Sequence, residues 1–167
     1  MNYVYNNICY KTIGVIRTPF KGSKGMPIQS SFSKTEGIVV LKKEFKEATV
    51  GLNEFSHLIL IYHFHKAKTP QLVVEPFLST RNLGIFSVRA PNRPNPIGIS
   101  IIKLKTIYEE DGELKLIVEG VDMLDQTPLL DIKPYVADFD CFPNAKSGWY
   151  ENRDIATAQS DDRFSVD

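Results

Sequence analysis

Residues 87–98, SVRAPNRPNPIG, set Arg89, Asn92, Arg93 and Asn95 among three prolines. Each proline fixes its own φ, and Ala90, Arg93 and Asn95, each preceding a proline, are pushed toward extended geometry. The backbone is thus ordered before any ligand arrives, which lowers the entropy lost on binding. Arginine presents a planar fork of donors suited to carboxylate or phosphate. Asparagine carries both a donor and an acceptor, suited to a base edge. A structural crossover with surface-paired arginines fits the same features equally well.

A second group follows in 120–134, GVDMLDQTPLLDIKP, where Asp122, Asp125 and Asp131 interrupt an apolar stretch. Carboxylates there can hold ribose hydroxyls or an amino group. Asp125 can equally start a turn through an Asx hydrogen bond. A third group is His57, His63 and His65, spaced at period two. Sequence places no acidic or thiol partner beside them, so local hydrogen bonding is the reading and no metal is expected. His65 and Lys66 end a strand, where barrel strands often meet a ligand mouth.

The elements that must position these groups have mostly strand period. Residues 12–18 form a β-rich run ended by Pro19, and 21–31 a Gly, Ser and Pro-rich loop. Residues 37–41 read as a short strand, and 42–52 as one or two helical turns stopped by Gly51. Residues 57–65, HLILIYHFH, read as a buried strand. Residues 99–108 and 114–119 form a hairpin around Asp111-Gly112, with Leu114, Leu116 and Val118 on one face. Residues 127–136 are a last short strand. The fold class expected is mainly β: a compact single-domain barrel over residues 1–143 with short helical segments, followed by a polar C-terminal tail, 144–167, and no separate C-terminal domain. That tail carries Trp149, Arg153 and Arg163.

Composition bounds the function. Twenty basic and twenty acidic residues cancel, so nucleic-acid contact must come from a local patch. Cys9 and Cys141 match no metal or redox spacing and read as free thiols of a cytoplasmic protein. No apolar run reaches the roughly 18 residues of a membrane span, and the start lacks the pattern of a signal peptide. Dinucleotide and Walker glycine patterns, a serine elbow and a local cysteine-nucleophile signature are missing.

Three segments together carry a resemblance: IGVIRTPF, FSHLILIYHFH, and VRAPNRPNPIGIS followed by VDMLDQTPLLDIKPY. In that order, over residues 13–135, the chain resembles the TrmO family, also called TsaA-like proteins. The resemblance implies a non-Rossmann β-barrel methyltransferase that uses S-adenosylmethionine. It implies a homodimer with the cofactor near the subunit interface. It also implies methylation of N6 of threonylcarbamoyladenosine at position 37 of tRNA, in the anticodon loop. Carried over by motif position, the cofactor contacts are Ile28, Gln29 and Ser30, then His65, Lys66, Arg89 and Ile99, and the Asp122-Met123-Leu124-Asp125 turn. Longer family members carry a further C-terminal domain that helps hold tRNA.

On this reading Asn92 and Arg93 face the incoming base or phosphate, and Tyr62, Phe64 or Tyr135 stacks on a base splayed from a single-stranded loop. Asn95, Asp125 or Asp131 stabilises charge developing on the acceptor amine. Residues 57–65 are apolar on both faces, with Leu58, Leu60 and Phe64 on one and Ile59 and Ile61 on the other. A small barrel buries only its inner face, so a second subunit is the expected cover. Two other readings stand beside this one. The methyl acceptor is a small molecule or another RNA, or the barrel is a non-catalytic module that binds a nucleotide or RNA.

Overall fold

The computed structural model describes residues 8–153 and 159–164. Six strands close into an antiparallel barrel: β1 (Gly14–Arg17), β2 (Glu36–Leu41), β3 (His57–His63), β6 (Ile97–Glu110), β7 (Glu113–Glu119) and β8 (Thr127–Pro134). Around the barrel the order is β1-β2-β7-β6-β3-β8, with β8 pairing back to β1. Closure leaves no barrel strand with a free edge. The barrel is therefore the mainly β architecture that the strand spacing implies.

Alternation decides which side chains point inward. In β3 these are Leu58, Leu60 and Tyr62, and in β7 Leu114, Leu116 and Val118, all buried. They meet Ile16, Val39, Ile102, Val121, Met123 and Leu129 in one continuous core. Each large aliphatic here contributes several kcal/mol, since truncation to Ala typically costs about 2–5 kcal/mol. The β6–β7 turn is the Asp-Gly hairpin expected: Asp111 (φ 53°) and Gly112 (φ 77°) both occupy the left-handed region. That pair of conformations matches the right-handed twist of the flanking strands.

The helical turns expected over 42–52 are 3-10 turns, Lys43–Thr49 and Leu52–Glu54, separated by Gly51 at φ 81°. β3 stops at His63, two residues short of the expectation. There the chain turns away, and the Phe64 N–H donates to Pro96 O at 2.8 Å.

Between β3 and β6 lies a structure that periodicity did not reveal. β4 (Val73–Val74) and β5 (Leu83–Gly84) form a two-stranded sheet. Beneath it Val74, Ile85, Val88, Ala90 and Phe164 make a second, smaller core, with Phe77, Leu83 and Trp149 packed against it. Two of these residues come from the stretch expected to be a polar tail. Phe164 meets Phe77 edge-on at 5.1 Å, and the Trp149 Nε1–H donates to Ser87 O at 2.7 Å. Arg163 donates to Pro76 O at 2.7 Å and lies over the Phe77 ring. The backbone of Ser160 exchanges hydrogen bonds with Gly25 and Met26. The described parts of 144–164 thus join the first loop to the proline-rich segment.

Candidate functional site

At one rim of the barrel the end of β3, the start of β6, the turn between β7 and β8, and the loops around residues 28 and 89 converge on a cleft of about 340 Å³. That volume lies at the lower end of the range for small-molecule pockets. Its walls are largely apolar, with Ile28, Val88, Met123 and Leu124 prominent, and its charged groups are few: Lys66, Arg89, Arg93 and Asp122. The position follows from the chain path. Irregular backbone gathers where strands end, and loops held on a rigid barrel are where binding residues concentrate.

The cleft floor is built by close approach. A Cβ on Gly98 would stand 2.2 Å from Cε2 of Tyr62, so only glycine lets the Tyr62 ring lie flat across β6. The Tyr62 hydroxyl meets Ser100 Oγ at 3.0 Å, and Ser100 donates to Asp122 Oδ1 at 2.6 Å. Burial raises the Tyr62 phenol far above the ordinary tyrosine range, and the Asp122 charge raises it further. Burial likewise pushes Asp122 up to about 6, although Ser100, Arg89 and the backbone amide of Ser30 pull it down.

The turn carrying Asp122 is tightly pinned. Ser33 donates to Val121 O at 2.7 Å, Thr18 to Met123 O at 2.9 Å, and the Asp125 N–H to Phe20 O at 2.7 Å. Asp125 itself is committed to structure. Its Oδ1 accepts from the Thr18 N–H at 3.0 Å, and its other oxygen pairs with Lys21. Partial desolvation works to raise its carboxyl, but these two partners outweigh it and hold it below the ordinary value.

Two basic groups border the cleft. Arg89 is exposed and donates to Ile99 O at 3.3 Å, which leaves most of its guanidinium donors for a ligand. His65 is lowered by partial burial and then by Lys66 and His63, so it is neutral at physiological pH. Thr127 gives its proton to Leu124 O at 2.7 Å, so at the 3.4 Å contact His65 Nδ1–H is assigned as the donor. Nε2 of His65 then keeps a lone pair.

Of the residues singled out in the sequence, Ile28, Gln29, Tyr62, His65, Lys66, Arg89, Arg93, Ile99, Asp122, Met123 and Leu124 line this one cleft. Ser30 adjoins it at the start of the 3-10 turn Ser30–Phe32. Others lie elsewhere within the single chain. Asn92 is buried, with Oδ1 accepting from the Lys68 N–H at 2.9 Å and its carbonyl accepting from the Gln71 N–H at 3.1 Å. It fastens the loop. Arg93 lines the cleft but spends Nη1 on Val88 O at 2.7 Å and Ile85 O at 3.1 Å. Asn95 is exposed, and its carbonyl accepts from the Ile97 N–H at 2.8 Å.

Asp131 pairs with Lys133 at 2.8 Å. Opposite Ile61 in the sheet, it belongs to the outer face. Tyr135 bonds to His57 at the far end of β3, roughly 20 Å from the rim at about 3.3 Å per residue. Tyr62 does not offer its face to solvent as a stacking platform; it is buried. Sequence reasoning missed Ser100, whose signal is its parity with Gly98 and Ile102 on β6. It also missed Phe86, exposed at the cleft mouth with Arg93 at 6.0 Å from its ring.

The molecule is a closed antiparallel barrel, with no nucleotide-binding βαβ unit among the described residues, that carries a mixed apolar and charged cleft of small-molecule size at its rim. The family model for the tRNA-methyltransferase O N-terminal domain matches residues 15–141, and the chain belongs to that family. A probable S-adenosyl-L-methionine-binding protein of Pyrococcus abyssi is 49% identical over 160 residues, covering 94% of this chain and 85% of that protein. The mouse tRNA (adenine(37)-N6)-methyltransferase is 37% identical over 142 residues, covering 80% of this chain and 32% of the mouse protein. The crystal structure of TrmO from Pseudomonas aeruginosa is similar with a TM-score of 0.70 and 35% identity, covering 86% of this chain and 62% of that one. The chain thus spans about a third of the mouse enzyme and less than two thirds of the crystallised protein.

Proposed function

We propose that this protein is an S-adenosylmethionine-dependent methyltransferase acting on N6 of threonylcarbamoyladenosine 37 in tRNA. The observation that carries the reading is the presence of Arg89 and Asp122 together in one apolar-walled cleft in a chain of this family. The residues fit the cofactor's chemistry. Arg89 suits a carboxylate, Asp122 suits ribose hydroxyls or an ammonium, and Met123, Leu124 and Ile28 suit an adenine face. When bound, the cofactor supplies a methyl group on a good sulfonium leaving group.

The chain's own residues then have three tasks. The preordered proline-rich loop and the pinned 121–125 turn hold donor and acceptor in line, and alignment of this kind is worth roughly 7–11 kcal/mol in favourable cases. The apolar walls exclude water from the reacting atoms. The proton that N6 would give up on methylation would pass to the free Nε2 of neutral His65, the acceptor at the cleft. Phe86, exposed at the mouth beside Arg93, is the surface for the nucleobase.

The reading includes a homodimer. On the outer face Ile97, Ile99 and Ile101 are 43%, 49% and 41% exposed, and Ile99 and Ile101 pair with Ile61 and Ile59 of β3. An apolar strip of this kind favours a symmetric partner as its cover. Ile99 also borders the cleft, so a subunit docked there would stand beside the site. Cys9 and Cys141, both free, suit the reducing cytoplasm. No helix among the described residues is long and apolar enough to cross a membrane.

The test is mass spectrometry of nucleosides from tRNA incubated with the protein and S-adenosylmethionine. Methylated threonylcarbamoyladenosine is expected, with little product on tRNA lacking the threonylcarbamoyl group. Equal turnover on both tRNAs refutes the substrate preference. Cofactor binding without turnover on any tRNA points to a small-molecule acceptor or a binding module. Light scattering at low micromolar concentration tests the dimer, and a monomer with full activity refutes it.

A further inference from the structure

Beneath the cleft, three polar side chains from separate elements form an unbroken row inside a mostly apolar barrel. Tyr62 of β3 and Ser100 of β6 are 3% and 2% exposed, and Asp122 belongs to the turn after β7. The spacings are 3.0 Å from Tyr62 to Ser100 and 2.6 Å from Ser100 to Asp122 Oδ1. Buried polar groups are costly unless every donor is matched.

Counting protons fixes the direction of the row. Each hydroxyl owns one proton. Among the described residues Ser100 is the only hydrogen-bond partner of the Tyr62 hydroxyl. If Asp122 donated to Ser100 and Ser100 to Tyr62, the Tyr62 proton would be stranded in the core. Only the opposite polarity, Tyr62 to Ser100 to Asp122, satisfies every donor. The 2.6 Å separation is also the length expected of a hydroxyl donating to a carboxylate.

We propose that Tyr62 and Ser100 are positioning residues of the ligand site: donating in series, they hold Asp122 as an acceptor whose remaining lone pairs serve a hydroxyl or ammonium of the bound molecule. That the molecule is S-adenosylmethionine rests on the function proposed above. The row itself does not. Neither residue touches the ligand through its polar atom; both act through Asp122. The charged group facing Asp122 is Arg89 of the proline-rich loop, and the titratable one is Tyr62; β6 contributes the Ser100 hydroxyl and the first loop the Ser30 amide.

The sign of the test follows. Burial raises the Asp122 carboxyl and Ser100 is the foremost group pulling it down, so removing that hydroxyl must raise it further. In ligand-free protein, a carbon-13 titration of the Asp122 carboxyl should show a midpoint of about 6. In Ser100→Ala it should lie about one pH unit higher, the size of one hydrogen bond to a charged group. Tyr62→Phe should move it upward by less, and Ser100→Thr, which keeps the hydroxyl, should restore it. An unmoved midpoint in Ser100→Ala overturns the proposal.

Calorimetry with S-adenosylmethionine across roughly pH 5 to 8 gives the second readout. Ser100→Ala should lose about twofold in affinity near its raised midpoint, approach about a tenfold loss toward pH 5, where Asp122 must be deprotonated to serve as the acceptor, and recover toward wild type at the alkaline end. A loss equal at every pH would mean packing alone and also overturns the proposal. If the wild-type protein fails to bind S-adenosylmethionine, the proposed function falls, while the carboxyl titration still decides the row.

Discussion

Gly98→Ala is a one-carbon test of the cleft floor. The added Cβ would stand 2.2 Å from Tyr62 Cε2, 2.4 Å from Cζ and 2.8 Å from Cδ2. Carbon atoms pack at about 3.5–4.0 Å, so the ring must move by more than about 1 Å. It has little freedom to do so, because its hydroxyl is tied to Ser100 and its body is packed against Phe64 at 5.3 Å between centroids. Overpacking costs about 1–3 kcal/mol. Losing the Tyr62–Ser100 bond adds about 0.5–1.5 kcal/mol. The gain from replacing glycine in a strand is under about 1 kcal/mol and does not offset this. A net loss of about 2–3 kcal/mol lowers the melting temperature of a chain of this size by roughly 4–12 °C. Circular dichroism melts of four proteins give the answer: wild type, Gly98→Ala, Tyr62→Leu and the double variant. Leucine ends short of Cε2 and Cζ, so Gly98→Ala should cost far less in the Tyr62→Leu background. Equal penalties in both backgrounds would refute the reasoning, because the strain would not then reside in the Tyr62 contact.

Asp122→Asn should stabilise the fold in a pH-dependent way. Folding raises this carboxyl from 3.8 to about 6, which at about 1.36 kcal/mol per unit penalises the ionised folded state by about 3 kcal/mol. The penalty is absent below pH 4, grows between the two values and is complete above the upper one. Urea unfolding should therefore show the variant's advantage widening over that window, and a constant difference would refute the assignment. Arg89→Ala should weaken S-adenosylmethionine binding by about 1.5–3 kcal/mol, roughly 10- to 150-fold, with the melting temperature nearly unchanged because the side chain is exposed. Unaltered affinity by calorimetry would remove Arg89 from the cofactor site. Phe86→Ala should raise KM for tRNA by the 1–3 kcal/mol typical of one stacked base and leave cofactor affinity intact; an unchanged KM would mean that the base does not stack there.

The strands were legible because a closed barrel buries one face, and period-two patterning reports that directly in β3 and β7. The hairpin was legible because Asp111-Gly112 supplies the left-handed conformations its turn demands. In β6 the signal failed: Ile97, Ile99 and Ile101 are apolar yet face outward, while Gly98 and Ser100 are small or polar yet face inward. An apolar outer row masks the parity that would have exposed Ser100. The cleft residues came from motif positions, and most of them converge. The second core escaped because β4 and β5 have two residues each, too short for any period. Asn92 was misleading for a chemical reason. The side-chain acceptor that suits a base edge suits a backbone N–H equally well, and the Lys68 N–H claims it, while the Asn92 main-chain carbonyl accepts from Gln71.

The second core has a consequence for how the molecule comes apart. Among the described residues it holds five buried side chains against thirteen in the barrel core, and two of its contributors, Trp149 and Phe164, arrive from far along the chain. Apolar burial scales with what is removed from water, so the smaller cluster is the weaker cooperative unit. It also anchors Ile85, Val88 and Ala90, the backbone that bears Arg89. Asp122, Ser100 and Tyr62 belong instead to the barrel and to the turn it pins. The two halves of the cleft are therefore guarded by different free energies. In native-state hydrogen exchange, amides beneath Arg89 should open sub-globally, and those beneath Asp122 only with unfolding of the whole barrel.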